Sequence, residues 1–181
     1  FSCIAHAAEV EIIPSDDGNI LKIHTEKSGE LFDIRVSVNK GNYEHVIVTG
    51  KMNRRDFLNL DLISYKCKSI DIYGVEVTQI PEGFLSNRRE LEKVVLPATL
   101  KVIMQYAFMG CLNLQIDELP KNLEFIGPCV FQNCMKLQLT IPDNVIVCAH
   151  AFDGCQHVTF PKSTIAEPQD IKPKESSCSC I

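Results

Sequence analysis

Cys111, Cys134 and Cys155 recur at steps of 23 and 21 residues, and two of the five histidines stand beside cysteines in the pairs Cys148-x-His150 and Cys155-x-His157. Thiols and imidazoles grouped in this way have three chemistries open to them: metal ligation, disulfide formation and nucleophilic attack. The spacing of the two pairs matches no common zinc template. Recurrence at one period points instead to a buried column, because a free cysteine packs as a small hydrophobe. Neighbouring strands lie about 5 Å apart, within the Cα range of a disulfide, so side-chain direction decides whether bridges form. Nine cysteines is an odd total, which leaves at least one thiol unpaired or open to intermolecular pairing. The chain carries no G-x-S-x-G elbow, phosphate loop or dinucleotide fingerprint, so we read it as a non-enzyme with no cofactor and no metal. Asp16 and Asp17 lack the further oxygen ligands of a calcium loop and read as turn residues.

The composition fits one globular unit with a continuous core: 181 residues, 45% apolar and 23% charged. Lys and Arg number 18 against 23 Asp and Glu, a net charge of -5. That balance offers no basic stripe for phosphates, which argues against nucleic acid as a partner. The doublets Arg54-Arg55 and Arg88-Arg89 read as solvated faces. No stretch approaches the ~20 apolar residues of a transmembrane span.

The elements that must carry these cysteines repeat with them. Phe84, Phe108, Phe131 and Phe152 step by 24, 23 and 21 residues, and Pro97, Pro120, Pro142 and Pro161 by 23, 22 and 19. Each unit reads as an alternating strand such as Leu91-Glu92-Lys93-Val94-Val95-Leu96, stopped by Pro97, followed by a bend and a small-Phe-x-x-Cys turn. The Ala107-Phe108 and Ala151-Phe152 segments predict one turn of helix or 3₁₀. One such unit cannot bury its own apolar face, so the units must stack, with the four phenylalanines forming a spine. Leu100, Leu123 and Val145, Ile103, Ile126 and Val147, and the strand residues Val94, Leu96, Ile116, Leu119, Leu137, Leu139, Val158 and Phe160 are expected to join it. The fold class expected is an α/β solenoid, a short right-handed stack with parallel strands on a concave sheet and an N-terminal α/β cap.

Residues 91–161 resemble the BspA-type leucine-rich repeat, in Leu96-Pro97, Leu100, Ile103, Ala107-Phe108, Gly110-Cys111 and Leu114, and again in Leu123, Ile126-Gly127, Phe131, Cys134 and Leu137. Upstream, Ser28-Gly29-Glu30-Leu31, Val46-Ile47-Val48-Thr49-Gly50, Asp56-Phe57 and Ser69-Ile70-Asp71-Ile72 are similar to the capping segment that precedes such repeats in surface proteins of anaerobic gut and oral bacteria. Met104 and Cys148 replace the bend glycine, and Arg88 replaces the first turn cysteine. The resemblance implies display outside the cell and adhesion or protein recognition without catalysis.

We divide the chain into residues 1–8, a residual export segment or loose N-terminus containing Ala5-His6-Ala7; 9–66, the N-terminal cap; 67–161, the leucine-rich repeats; and 162–181, a polar tail. Within the cap, Glu9 to Ile13 and Ile20 to His24 read as strands of a hairpin, and residues 28–38 and 53–60 as helices with Ser28 and Asn53 as N-caps. The tail ends in Cys178-Ser179-Cys180-Ile181, which has the C-a-a-X form of a prenylation signal; processed there, the chain would be an intracellular, membrane-anchored interaction protein. A structural spacer in a surface assembly is a third reading. In a solenoid, outward side chains of successive strands make the recognition surface. By alternation these are Ser69, Asp71 and Tyr73, Lys93 and Val95, Gln115 and Asp117, Gln138 and Thr140, and His157 and Thr159. The partner expected is a protein or a host or matrix ligand.

Overall fold

A computed structural model describes residues 8–16, 18–38 and 41–161 of the chain; side chains are described throughout except at 35–37. The Ala5-His6-Ala7 segment, Asp17, and the Cys178-Ser179-Cys180-Ile181 terminus with the rest of 162–181 lie outside the described residues.

In chain order the elements are β1 (Glu9–Ile13), β2 (Asn19–Thr25), α1 (Leu31–Val38), β3 (Tyr43–Gly50), α2 (Arg54–Ile63), β4 (Ser69–Asp71), β5 (Gln79–Ile80), β6 (Lys93–Val95), β7 (Val102–Ile103), β8 (Phe125–Ile126), β9 (Gln138–Thr140), β10 (Ile146–Val147) and β11 (His157–Thr159). Among the described residues they form three sheets, ordered β1-β2-β3-β4-β6, β10-β8-β7-β5 and β11-β9. All pairings are parallel except β1 on β2, so the first sheet is mixed. Parallel neighbours one repeat apart are what equal-length units produce when they pile up in register.

Leu21, Val46, Ile70 and Val94 occupy one register row across β2, β3, β4 and β6, and all four are buried. Ile80, Ile103 and Ile126 form the matching row on the second sheet. Both rows belong to one continuous core. Burying each such side chain contributes about 1.5–3 kcal/mol, and the stack provides the facing surface that a single unit lacks.

The first sheet does not continue unbroken to the last repeat. Lys93 meets Gln115 through one isolated bridge, and β9 with β11 stands as a separate pair. The cause lies in the inward positions. Leu137, Leu139 and Ile141 alternate as a strand requires, whereas Asp117 and Glu118 both separate Ile116 from Leu119, and both are exposed. That extra residue breaks the two-residue alternation and stops the ladder.

Two elements of the turns differ from expectation. No helix or 3₁₀ turn forms at Ala107-Phe108 or Ala151-Phe152; successive hydrogen-bonded turns do, with Met109 N donating to Tyr106 O and Cys111 N to Phe108 O. Gly83, Tyr106, Cys129 and His150, and four residues further Asn87, Gly110, Asn133 and Gly154, all have φ between 53° and 79°, and a left-handed residue on each side leaves no room for a helical run. The second difference is a one-residue shift in the phenylalanine spine. Gly83, Leu85 and Asn87 donate their N–H groups to Gln105, Ala107 and Met109, as Tyr106, Phe108 and Gly110 do to Pro128, Val130 and Gln132. Leu85 therefore aligns with Phe108, and Phe84 with Ala107. The stacked rings are Phe108 on Phe131 at 5.4 Å and Phe131 on Phe152 at 5.3 Å, while Phe84 turns away to meet Phe57 of α2 edge-on at 4.8 Å. Phe160, expected in the core, is 45% exposed and meets the end of the stack edge-on through Phe152 at 5.7 Å.

Ahead of the repeats, β1 and β2 form the expected hairpin, and Asn53 caps α2 by accepting from Arg55 N and Asp56 N. Ser28 does not cap α1, which begins at Leu31. The carboxylate of Asp56 takes that part from the neighbouring helix: one oxygen accepts from Gly29 N at 2.6 Å and Asn53 N at 2.8 Å, the other from Leu31 N at 3.1 Å. Asp56 is fully buried, and three backbone donors replace its hydration shell. Arg88 overturns the expectation of a solvated doublet as well. Its side chain is 10% exposed, pairs with Asp61 and lies 4.3 Å over the ring of Tyr65. Burial raises the Asp61 carboxyl above its ordinary range, against the pull of the Arg88 guanidinium.

Candidate functional site

The outward face of the first sheet is built by alternation. Each inward Ile or Val is flanked by residues whose side chains point away from the core, and parallel pairing lines those residues up across strands. One row runs His45, Ser69, Lys93, Gln115; the next runs Ile47, Asp71, Val95. In the last pair Gln138 lies beside His157 and Thr140 beside Thr159. Lys93, Gln115, Asp117, Gln138, Thr140, His157 and Thr159 are exposed, Asp71 and Val95 half-buried, and Tyr73 is 61% exposed.

The ten expected residues are not one cluster. Tyr73, Val95 and Asp117 line a hollow of about 430 Å³ together with Ala98, Glu118 and Lys121. Asp117, Gln138, Thr140, His157 and Thr159 line a second hollow of about 510 Å³, with Glu118 and Leu119. The Asp117-Glu118 break separates the two hollows and borders both. Asp71, Lys93 and Gln115 line neither. Asp71 fixes the bend into Tyr73 by accepting from its backbone N–H at 2.9 Å, and Lys93 pairs with Asp117 at 2.6 Å.

Lys22, His24, His45, Ile47 and Thr49 extend the same face across β2 and β3, and the sequence reading missed them. His24 Nδ1 lies 2.8 Å from Thr49 Oγ1, and His45 Nδ1 lies 2.7 Å from Ser69 Oγ. The signal was present: Asn19–Thr25 and Tyr43–Gly50 alternate as Ser69–Asp71 does, but the first was matched only to its hairpin partner.

The described cysteines play no part in this face. All six, Cys67, Cys111, Cys129, Cys134, Cys148 and Cys155, stand outside any disulfide. Cys111 Sγ donates to Leu85 O, Cys134 Sγ to Phe108 O and Cys155 Sγ to Phe131 O, at 3.0 to 3.1 Å, so each thiol is tied to the backbone of the preceding repeat. Burial pushes Cys111 up to about 11 and Cys67 to about 12, and raises Cys134 and Cys155. Such thiols stay protonated at neutral pH and are poor nucleophiles. His150 Nδ1 bonds Asp153 Oδ2 at 2.6 Å, and among the described residues no group of three or more His, Cys, Asp or Glu side chains is placed to hold a metal ion. No helix among them is long and apolar enough to cross a membrane.

Residues 63–159, more than half of the chain, match the BspA type leucine rich repeat region in six copies. The chain belongs to this family. Repeats of this class are generally non-enzymatic scaffolds for protein interaction. Among solved structures, the chain is similar to the leucine rich repeat protein of T. pallidum, at 19% identity and a TM-score of 0.51 over 87% of this chain and 71% of that one. Leucine-rich repeat proteins of Bacteroides ovatus ATCC 8483 (19% identity, TM-score 0.48, 90% of this chain and 42% of that one) and Eubacterium ventriosum ATCC 27560 (17%, 0.45, 85% and 42%) are similar too. At these identities the likeness is one of fold. No curated protein matches the sequence significantly.

Proposed function

We propose that this chain is a surface-displayed or secreted module for protein binding or adhesion, acting through the outward face of its parallel strands. Its units wind as a short right-handed solenoid with that face on the concave side, and residues 9–66 close the stack at its N-terminal end. One observation carries the reading: exposed side chains from adjoining strands stand in register rows beside two hollows that meet at Asp117-Glu118. The residues that would bear contact are Asp71, Tyr73, Lys93, Val95, Gln115, Asp117, Gln138, Thr140, His157 and Thr159. Tyr73 supports this choice because a large, rigid, exposed aromatic is the side chain that most often anchors an interface.

The test is a pull-down from host-cell surface and matrix extracts with wild type, Tyr73→Ala and Asp117→Ala. Loss of a specific band with either variant is expected; equal recovery by all three counts against this surface. Protease shaving of intact cells tests display, with release of repeat peptides expected and full protection contradicting it.

A further inference from the structure

A hollow lies away from the recognition face, between the start of α2 and the open edge of β5. It measures about 820 Å³, with Met52, Phe57, Pro81 and Met104 among its apolar lining and Arg54, Glu76 and Glu82 among its charged lining. β5 is the terminal strand of its sheet. Thr78 O accepts from Val102 N and Ile80 O from Met104 N, so the peptide groups of Thr78 and Ile80 face β7. Strand geometry then turns the N–H and C=O of Gln79 the other way, and neither has a partner among the described residues.

We propose that this groove is a second docking site, which takes an extended polypeptide segment of a partner protein as an added strand on β5. Three observations fix the chemistry of the occupant. An unused donor and acceptor on one residue of a sheet edge are complementary to a strand backbone, and in an antiparallel pair a single partner residue satisfies both. The apolar floor takes one aliphatic or aromatic side chain of that segment. Two exposed carboxylates against one guanidinium leave the rim acidic, so the segment carries a lysine or arginine next to the buried residue. A parallel edge left open is otherwise a liability for aggregation, and a two-residue edge recessed beside α2 admits a single strand while discouraging sheet-to-sheet growth.

The experiment pans a displayed library of eight-residue peptides against the whole chain, then measures enriched peptides on variants by fluorescence polarisation. Gln79→Pro deletes the outward N–H alone, a change an edge strand tolerates. Glu82→Lys reverses rim charge without touching the core. Enrichment of peptides pairing an apolar with a basic residue, bound tenfold or more weakly by both variants and unchanged by Tyr73→Ala and Asp117→Ala, is the expected result. No enrichment over matrix alone, or enriched peptides that both variants bind like wild type, overturns the proposal. Peptides lost only with Tyr73→Ala or Asp117→Ala overturn it too, and place peptide binding on the recognition face instead. A thermal melt of each variant separates loss of binding from loss of fold.

Discussion

The guanidinium of Arg88 meets the carboxylate of Asp61 at 2.5 Å and stands where Cys111, Cys134 and Cys155 stand in the later repeats. The later cysteines face a preceding repeat; Arg88 faces α2 and also donates to Asp61 O and Tyr65 O. The pair thus joins the helical segment to the first repeat. Removing one partner of a largely buried pair leaves the other uncompensated, so Arg88→Ala is expected to cost about 3 kcal/mol. Arg88→Cys, which restores the repeat residue, should cost nearly as much, and the double variant Arg88→Ala/Asp61→Ala less than the sum. Urea denaturation of wild type, Arg88→Ala, Arg88→Cys, Asp61→Ala and the double variant decides; additive losses would show that the two residues act separately.

Asp56 performs a similar service within the N-terminal segment, where its two oxygens accept from three backbone donors. Asp56→Ala strands all three and should destabilise the chain by about 2–4 kcal/mol, whereas Asp56→Asn keeps acceptor capacity in part and should lose less. Amide hydrogen exchange at Gly29 and Leu31 reads the effect directly. Unchanged protection there in Asp56→Ala would rule out this capping role.

Phe131 lies between Phe108 and Phe152, stacked on both. Truncating it to Ala should cost about 3–5 kcal/mol. Phe152→Ala, at the half-buried end of the column, should cost less. Thermal unfolding of the two variants gives the order, and a larger loss at Phe152 would contradict a stack that is strongest in its middle.

The buried thiols make stability depend on alkaline pH. Below pH 9 the thiols are protonated in both folded and unfolded chains, and their contribution is complete. Between pH 9 and about 11 the unfolded chain releases thiol protons that Cys67, Cys111 and Cys134 retain in the fold, because burial raises all three. Stability is therefore lost as pH rises, by roughly 1.4 kcal/mol per unit for each such thiol. Denaturant midpoints between pH 8 and 11 should fall less steeply in Cys111→Ala and Cys67→Ala than in wild type. Parallel slopes would show that these thiols are solvated.

Much of the repeat was legible because its markers recur: the spacing of Cys111, Cys134 and Cys155 predicts a buried column, which holds for Cys111 and Cys134 while Cys155 at its end is half-buried, and these thiols follow one another through the carbonyls of Leu85, Phe108 and Phe131. The misreading at Phe84 came from trusting residue type over spacing. Arg88, placed 23 residues before Cys111, marks the true register, and it puts Leu85 rather than Phe84 in the column. Arg88 itself looked like surface because its partner, Asp61, is 27 residues away on a helix whose packing no local pattern announces. The positions of the outward side chains followed from two-residue alternation, but the gap in the ladder at Asp117-Glu118 required knowing which of Ile116, Leu119 and their neighbours face inward. Whether a face binds is a property of the partner as much as of the strand, and alternation alone carries no information about it.

The claim that recognition belongs to the outward face shared by the first sheet and the β9–β11 pair is tested most directly by site-specific photo-crosslinking. A photoreactive phenylalanine analogue is placed singly at Tyr73, at Gln138 and at Ile146, which is 66% exposed but belongs to the sheet β10-β8-β7-β5. Crosslinking of one discrete partner from Tyr73 and Gln138, and none from Ile146, is the predicted result. Crosslinks from Ile146 alone, or equally from all three, would contradict it.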